Sequence, residues 1–272
     1  MIRRPALAFA ISLLITSPLR AETVSFDCVA EPAQSIEVGS PVTGILSEMR
    51  VGRGDRVAPG DVLARLDSTV EEANVALAQV QAEAQEALAS QLTRLTLAEA
   101  ALDRARQLLQ SGSVTSSRIE ELQAAVEIAR ADLETERHRK RVAEIELERQ
   151  RALLDRLTIL SPISGFVTGR LLSVGEFVRQ DSALLTLVQT DPLFVEAYVP
   201  VTYWGRIVPG LPGTVTLEQP AGTEREASVV VVDPVFDAAS GTFGMRLALD
   251  NPAAAIPAGQ RCTVSFSLPE RG

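Results

Sequence analysis

The sequence has almost no lysine or histidine, and this scarcity excludes several classes of protein. Of its 26 basic residues, all but Lys140 are arginines. A phosphate-binding loop needs lysine after glycine and before serine or threonine, and that motif is absent, so ATP or GTP hydrolysis by such a loop is not expected. The only histidine, His138, lies in a charged run typical of a solvated helix face, which does not suit a catalytic base. We therefore expect no enzymatic activity and no cofactor.

Metal ligands and positive charge are also scarce. One histidine, two distant cysteines and three methionines do not form a metal-binding pattern. The formal net charge is −9, so nucleic acid is not an expected partner.

Only one stretch of the chain is strongly apolar, and it lies near the N-terminus. Arg3 and Arg4 precede an apolar run at 6–15, a pattern typical of a secretory signal. The run is about half the length that spans a bilayer, so a retained anchor is the less favoured alternative. We expect a signal peptide over 1–21, cleavage after Ala21 and export to the periplasm.

An internal repeat is the strongest structural pattern. Residues 40–67 align without gaps to residues 161–188, at a constant offset of 121 positions. Seven aligned pairs are identical: Ser40/Ser161, Pro41/Pro162, Gly44/Gly165, Gly54/Gly175, Val57/Val178, Leu63/Leu184 and Leu66/Leu187. Each copy alternates apolar and polar residues around turn glycines, which predicts short strands. So few strands cannot enclose a core alone, and we expect the two copies to pair into one domain.

A helical segment separates the two copies. Residues 68–156 contain little glycine or proline and many strong helix formers. A coiled-coil seam is predicted in the first arm by Leu88, Leu95, Leu102 and Leu109 together with Ala84, Gln91, Ala98 and Ala105. The second arm has the same spacing from Ile119 to Leu157, with Glu136, Lys140 and Gln150 as polar members. A buried helical bundle is the alternative, but the apolar stripe is narrow for one.

The two arms are separated by a predicted turn. The sequence Ser-Gly-Ser at 111–113 interrupts the helical pattern, and Ser117 followed by Glu120 resembles a capping box that starts the second helix. We expect the arms to fold back as an antiparallel hairpin, each about 60 Å long at 1.5 Å per residue.

The last part of the chain predicts a small antiparallel β-barrel. Residues 191–268 are rich in β-branched residues and broken by proline and glycine. Cys28 and Cys262 lie in alternating strands near the two ends of the chain, and both can face one interior. We expect a disulfide between them, with two buried free thiols as the alternative.

This order of segments resembles the HlyD-like membrane fusion proteins, the periplasmic adaptor subunits of tripartite efflux pumps. The two repeat copies are similar to the split lipoyl motif of that family, and DPLFVEAYVP at 191–200 resembles its barrel. The resemblance implies an elongated α+β fold, in which an antiparallel coiled-coil α-hairpin lies between two halves of a lipoyl-like β-domain and a small β-barrel domain follows. The carrier proteins that share the lipoyl motif need a modified lysine, and neither copy contains one.

The expected domains follow the resemblance along the chain. They are the signal peptide at 1–21, an N-terminal strand of the barrel region at 22–33, lipoyl-like half 1 at 34–67, the hairpin at 68–156 with its tip at 110–116, lipoyl-like half 2 at 157–190, the barrel at 191–268 and a tail at 269–272.

The resemblance also implies partners and site residues. An arginine, a leucine and a serine at the hairpin tip engage the outer-membrane channel in the family, and Arg104, Leu108 and Thr115 have that spacing here, with threonine in place of serine. The implied partners are an inner-membrane transporter, an outer-membrane TolC-like channel and further copies in a ring, by resemblance a hexamer.

Larger family members have a membrane-proximal domain, and few residues here are left to form one. We therefore expect the barrel to make most of the contact with the transporter. Tyr203 and Trp204 are candidates for this contact, with core packing as the alternative. A resistance-nodulation-division (RND) transporter is the expected pump. An ABC-type exporter and a purely structural coiled-coil spacer are the alternatives.

Overall fold

The computed structural model describes residues 21–109 and 113–269 of the chain. Residues 1–20 of the signal peptide predicted at 1–21, residues 110–112 of the predicted tip and the last three residues of the predicted tail lie outside the described residues. The chain divides into two compact units. One comprises residues 36–187, and the described part of the other comprises residues 21–35 and 188–269.

The β-strands of unit 36–187 belong to two sheets, and each sheet takes strands from both repeat copies. The strands are β2 (Gly44–Met49), β3 (Arg56–Val57), β4 (Val62–Leu66), β5 (Thr158–Leu160), β6 (Gly165–Arg170), β7 (Phe177–Val178) and the first part of β8 (Ala183–Pro200). One sheet has the order β5-β4-β2-β7, and the strands β8-β6-β3 are neighbours in the other. Each sheet therefore combines strands from both copies, as the repeat predicted.

The backbone hydrogen bonds between the copies repeat the 121-residue offset. The Gly54 amide donates to the Val167 carbonyl, and the Gly175 amide donates to the Leu46 carbonyl, each at 2.8 Å. Both glycines have a positive φ, of 96° and 92°, which a residue with a side chain rarely adopts. Each copy thus supplies the turn that binds the other copy's strand, and neither copy completes its bonds alone.

A single apolar core fills this split domain. Its buried members come from both copies and include Leu46, Leu63 and Leu66 from the first and Val167, Leu184 and Leu187 from the second. The paired serines Ser40 and Ser161 are also buried, and each hydroxyl donates to the carbonyl two residues later. The predicted fold of one β-domain from two distant halves is confirmed.

Three helices form the segment between the repeat copies. They are α1 (Thr69–Glu83), α2 (Glu86–Leu109) and α3 (Ser116–Asp155), and α3 packs against both others. The predicted seam of α3 is confirmed, because every predicted position from Ile119 to Leu154 is buried or half-buried. Its most buried members are Ile119, Val126 and Leu133.

The first arm is not one continuous helix, which corrects the prediction. Ala84 has extended backbone angles between α1 and α2, and it is exposed although it was predicted in the seam. The α1 seam ends at Ala78 and Ala82, and a regular 3-4 spacing would continue to 85 and 89. The seam instead resumes at Leu88 and Gln91, each one residue before the position that this spacing gives, so the interruption resets the register. Leu109, the last predicted member, is also exposed.

Polar residues cluster at this interruption. The Lys140 Nζ atom donates to the carbonyl oxygen of Ala82 at 3.4 Å and lies 3.5 Å from a carboxylate oxygen of Glu144. The last carbonyls of a helix have no partners within the helix, and a nearby cation interacts favourably with them. The only lysine of the chain therefore stabilises the end of α1. Beyond the break, the buried Oε1 atom of Gln91 has no hydrogen-bond partner among the described residues.

Helix α3 carries a series of ion pairs between its own residues, most of them on its exposed side. These are Arg118–Glu121, Arg130–Glu127, Arg137–Glu134, Arg139–Glu136 and Arg149–Glu146. Hydrogen bonds from Arg149 and then from Gln150 lower the pKa of Glu146 to about 2. Exposed pairs of this kind contribute little individually, so they keep the face solvated more than they stabilise it.

The other unit is built from six long strands. They are β1 (Ala21–Gly39), the second part of β8, β9 (Pro212–Leu217), β10 (Thr223–Asp237), β11 (Thr242–Leu249) and β12 (Gln260–Pro269). The order is β1-β12-β9-β10-β11-β8, and β1 also pairs with β8. The alternate residues that face inward form one core, with Phe243, Phe266 and Met245 among its fully buried side chains. In the described part of the chain, no helix is both long enough and apolar enough to cross a membrane.

Candidate docking surfaces

The described hairpin end exposes two of the three predicted channel-docking residues on one face of α2. Arg104 is exposed, and Leu108, four residues later, is 49% exposed. The neighbouring seam residues Leu102 and Ala105 are buried against α3. The seam thus leaves Arg104 and Leu108 on the outside of the hairpin, and the Leu108 carbonyl accepts a hydrogen bond from the Ser113 amide at 3.2 Å.

Thr115, the third predicted docking residue, has a local structural role. It is the N-cap of α3, and its hydroxyl oxygen accepts a hydrogen bond from the Arg118 amide at 3.4 Å. The helix therefore begins at Ser116, and the predicted capping box of Ser117 and Glu120 is wrong. Both lie inside the helix, where the Ser117 side chain is not at the cap position.

A second candidate surface is the end of the barrel at which β1 starts and β12 ends. Tyr203 and Trp204 lie there, in the short segment after β8. Tyr203 is half-buried, and its ring packs edge-on against Phe26 with centroids 5.2 Å apart. Trp204 remains 45% exposed. The predicted pair therefore separates into a core residue and a surface residue.

Apolar residues of the β10–β11 hairpin extend this surface. The Trp204 ring meets Phe236 and Phe243 edge-on, at centroid distances of 4.9 and 5.2 Å. Phe243 is buried, whereas Phe236 and Val235 are exposed. We call Trp204, Val235 and Phe236 the barrel-end patch. Val235 and Phe236 were not predicted as site residues. Consecutive side chains of a strand point to opposite faces, and the sequence does not show that both faces are exposed at this point.

Arg206 holds the barrel end together. Its Nη2 atom donates to Glu22 at 3.0 Å and to the carbonyl oxygen of Pro269 at 2.8 Å, and its guanidinium lies over the Tyr203 ring. One arginine thus fixes the start of β1, the end of β12 and the segment that carries Trp204. Trp204 therefore lies next to a segment that these hydrogen bonds fix to both end strands.

The structure brings the two cysteines together. Cys28 and Cys262 are opposite each other in the β1–β12 register, with Cα atoms 4.9 Å apart, and they form a disulfide. Both are buried in the barrel core. They join strands that are 234 positions apart in the sequence.

A groove of about 940 Å³ runs over the outside of the barrel beside this disulfide. Arg246 lines it, and the Arg246 guanidinium pairs with Glu196 and stacks on the Phe194 ring at 4.9 Å. The lining also includes acidic residues such as Glu31 and Glu218, and Arg261. Across the described ranges, no group of three or more His, Cys, Asp or Glu side chains is arranged to hold a metal ion.

These observations define a class of fold: a β-domain assembled from two halves, a helical hairpin inserted between them and a β-barrel built from the flanking segments. The architecture is the one that the resemblance to membrane fusion proteins predicted. The family model of the CzcB-like, barrel-sandwich hybrid domain matches residues 34–189, more than half of the chain. The chain belongs to this family.

Individual relatives agree with this assignment. The chain is 27% identical to the nickel-cobalt-cadmium resistance protein NccB of Alcaligenes xylosoxydans xylosoxydans, over 83% of this chain and 57% of that protein. It is 26% identical to the pyoverdine export membrane fusion protein PvdR of Pseudomonas aeruginosa, over 75% and 54%. The chain thus spans a little over half the length of these curated relatives.

Among solved structures, MacA from Actinobacillus actinomycetemcomitans has the same fold. The TM-score is 0.67 at 21% identity, with 91% of this chain and 79% of that chain covered.

Proposed function

We propose that this protein is a periplasmic adaptor that couples an inner-membrane transporter to a TolC-like outer-membrane channel for efflux. The proposal rests on one observation: the two halves of one β-domain hold both ends of the helical hairpin. A force or displacement at the tip of the hairpin is therefore transmitted to a rigid base. A purely structural coiled-coil spacer has no need of such a split base.

The hairpin tip is the proposed contact with the outer-membrane channel. Arg104 and Leu108 are exposed side by side, one charged and one apolar, on the side of α2 that faces away from α3. An exposed arginine beside an exposed leucine suits a helical partner surface, because interfaces favour arginine and large apolar side chains.

The barrel-end patch is the proposed contact with the transporter. Trp204 and Phe236 expose aromatic surface at this end of the barrel, and aromatic residues are enriched where interfaces concentrate their binding energy. The length of the hairpin and the leader-like N-terminus favour a transporter of the RND type, with an ABC-type exporter as the second candidate. A large transporter with twelve membrane spans encoded next to this chain supports the first, and a neighbouring ATPase supports the second.

The deciding experiment compares two charge reversals on α2. The gene is deleted from its host and replaced by wild type, Arg104→Asp or Arg94→Asp. Resistance is measured against a panel that includes nickel, cobalt and cadmium salts, the metals in the name of NccB. Arg94 is also exposed on α2 but is one heptad and a half nearer the hairpin base, so it is the matched control. We expect export to be lost in Arg104→Asp and kept in Arg94→Asp, at equal protein abundance. Normal resistance in Arg104→Asp would remove the tip from the mechanism.

Crosslinking identifies the partners in the same cells. A photoreactive residue at Leu108 is expected to capture an outer-membrane channel, and one at Trp204 an inner-membrane transporter. Leu108 is preferred to Thr115 for this purpose because a substitution at Thr115 removes the cap of α3.

A further inference from the structure

Strand β10 is irregular beside the barrel-end patch. Val232 pairs with Met245 of β11, and the next pair along the two strands is Phe236 with Phe243. Residues 233–235 of β10 therefore lie opposite only one residue of β11. Extra residues of this kind in one strand of an antiparallel pair form a β-bulge. We call residues 233–235 the β10 bulge.

The β10 bulge decides which side chain lies opposite Phe243. Two positions beyond the preceding pair, a regular antiparallel ladder would place Pro234 there. The bulge places Phe236 there instead, with the two ring centroids 6.3 Å apart, and the Trp204 ring contacts both phenylalanines. Pro234 has no N–H group for the ladder, which restricts proline in sheets to edges and bulges. The aromatic part of the barrel-end patch therefore depends on the bulge.

Gly244, the residue opposite the bulge, leaves the space that the bulge occupies. Its strand neighbours Phe243 and Met245 are buried, so position 244 faces the outside of the barrel. A Cβ atom at 244 would overlap a carboxylate oxygen of Asp233, and it would lie 3.3 Å from the Cγ atom of Asp233 and 3.8 Å from its Cβ atom. Gly244 lies in a strand and its φ is not positive, so glycine is required here for space and not for backbone freedom.

The bulge lies in the part of β10 that has one neighbouring strand. Strand β9 pairs with β10 over Thr223–Ser228, and Val229 bonds to the segment just before β9. Beyond Val229, β11 is the only strand within the described ranges that pairs with β10. The ladder does not end at the bulge, because it continues to the pair Asp237–Thr242. Bulges at barrel rims either end pairing or redirect side chains, and this one redirects them.

We propose that Gly244 is a positioning residue for the transporter contact. By leaving room for the β10 bulge, it places Phe236 against Trp204 and so sets the shape of the barrel-end patch. A substitution at 244 therefore changes the patch without removing any of its residues. The inference rests on the proposed function, which assigns this patch to the transporter, and it adds a residue outside the patch that determines its geometry.

Fluorescence of Trp204 tests the positioning in the purified full chain, because Trp204 is its only tryptophan. A valine at 244 needs the space that the Asp233 side chain fills, so we expect the bulge to move and Phe236 to leave the Trp204 ring. The emission of Gly244→Val is then red-shifted and more strongly quenched by acrylamide, and Phe236→Ala gives the size of the full effect. The double variant Asp233→Gly/Gly244→Val removes the obstructing side chain and is expected to restore the wild-type emission.

The matched control is Ala248→Val on the same strand. Ala248 also alternates with buried residues of β11, but it pairs with Ser228 in front of the irregular part of the ladder, so we expect unchanged emission. Gly244→Ala is the milder variant, with a smaller shift in the same direction, and it keeps the test decisive if the valine variant does not fold. Unchanged emission in every folded Gly244 variant would overturn the proposal, and so would a double variant that keeps the shifted emission.

A photoreactive residue at Val235 tests the consequence in cells. We expect capture of an inner-membrane transporter and export to fall in Gly244→Val, to recover in the double variant and to persist in Ala248→Val, at equal protein abundance. Shifted emission with undiminished capture and export would overturn the positioning role and leave the proposed function in place. Shifted emission together with no transporter capture by the wild type, from Val235 or from Trp204, would support the control of patch geometry by Gly244 and count against the proposed function.

Discussion

Thr115 combines a local role with a proposed functional one, and the two can be separated. Removal of the hydroxyl in Thr115→Ala leaves the Arg118 amide without its cap, and loss of an N-cap costs about 1 kcal/mol. We expect a loss of that size in urea unfolding followed by circular dichroism. Thr115→Asp retains a capping oxygen and is expected to keep the stability.

Export measurements then decide the role of this residue. If Thr115 contacts the channel, Thr115→Asp loses export despite normal stability, and Thr115→Ser retains both. Full export by Thr115→Asp would show that Thr115 caps α3 and does not contact the channel.

The sequence spacing identified Thr115 as a candidate docking residue, but it did not predict that Thr115 is the N-cap of α3. Ser117 is followed three residues later by the acidic Glu120, as in a capping box, so the sequence pattern predicted Ser117 as the N-cap of α3. The backbone entering α3 decides the cap, because an N-cap needs extended angles and Thr115 has them, with φ −86° and ψ 155°. The sequence pattern does not specify these backbone angles.

Among the secondary-structure elements, the interrupted first arm gives the clearest test. The buried Gln91 oxygen lacks a hydrogen-bond partner among the described residues, and a group of this kind costs about 1–3 kcal/mol. Gln91→Leu removes that oxygen and adds apolar surface to the seam, so we expect stabilisation by about 1 kcal/mol or more. Urea unfolding of the full chain measures it.

The matched control is Gln107→Leu, an exposed glutamine on the same helix, which we expect to change stability by less than about 0.5 kcal/mol. Destabilisation by Gln91→Leu would mean that the glutamine is satisfied in solution and that the polar seam is required there.

The α3 seam was predictable and the break before α2 was not, for one physical reason. Buried positions in α3 follow a single 3-4 register over forty residues, and a single register is visible in sequence. Helices α1 and α2 each follow such a register, but the two are offset by one residue. The leucine repeat of α2 predicts a seam position at Ala84, but Ala84 lies in the extended link between the two helices and is exposed.

For the whole molecule, the proposed disulfide has the largest expected effect on stability. A bridge between Cys28 and Cys262 restricts a loop of more than 200 residues in the unfolded chain. Removal of a disulfide typically costs about 2–4 kcal/mol. We expect the double variant Cys28→Ala/Cys262→Ala to lower the calorimetric transition of the barrel unit and to leave that of unit 36–187 in place, because both cysteines lie in the barrel core.

Thiol titration gives the complementary measurement. Wild-type protein denatured without reductant is expected to show no free thiol, and reductant is expected to reproduce the stability of the double variant. Two titratable thiols before reduction would show that the pair is not bridged.

The sequence by itself determined the split β-domain, the antiparallel hairpin and the strand-rich third region. Each depends on a periodicity or a constant offset between residues, and these are properties of order along the chain. Tertiary structure decided where the first arm breaks, which oxygen caps α3 and which apolar side chains of β10 stay uncovered. Those outcomes depend on which atoms meet across distant segments, and a list of residues does not contain that information.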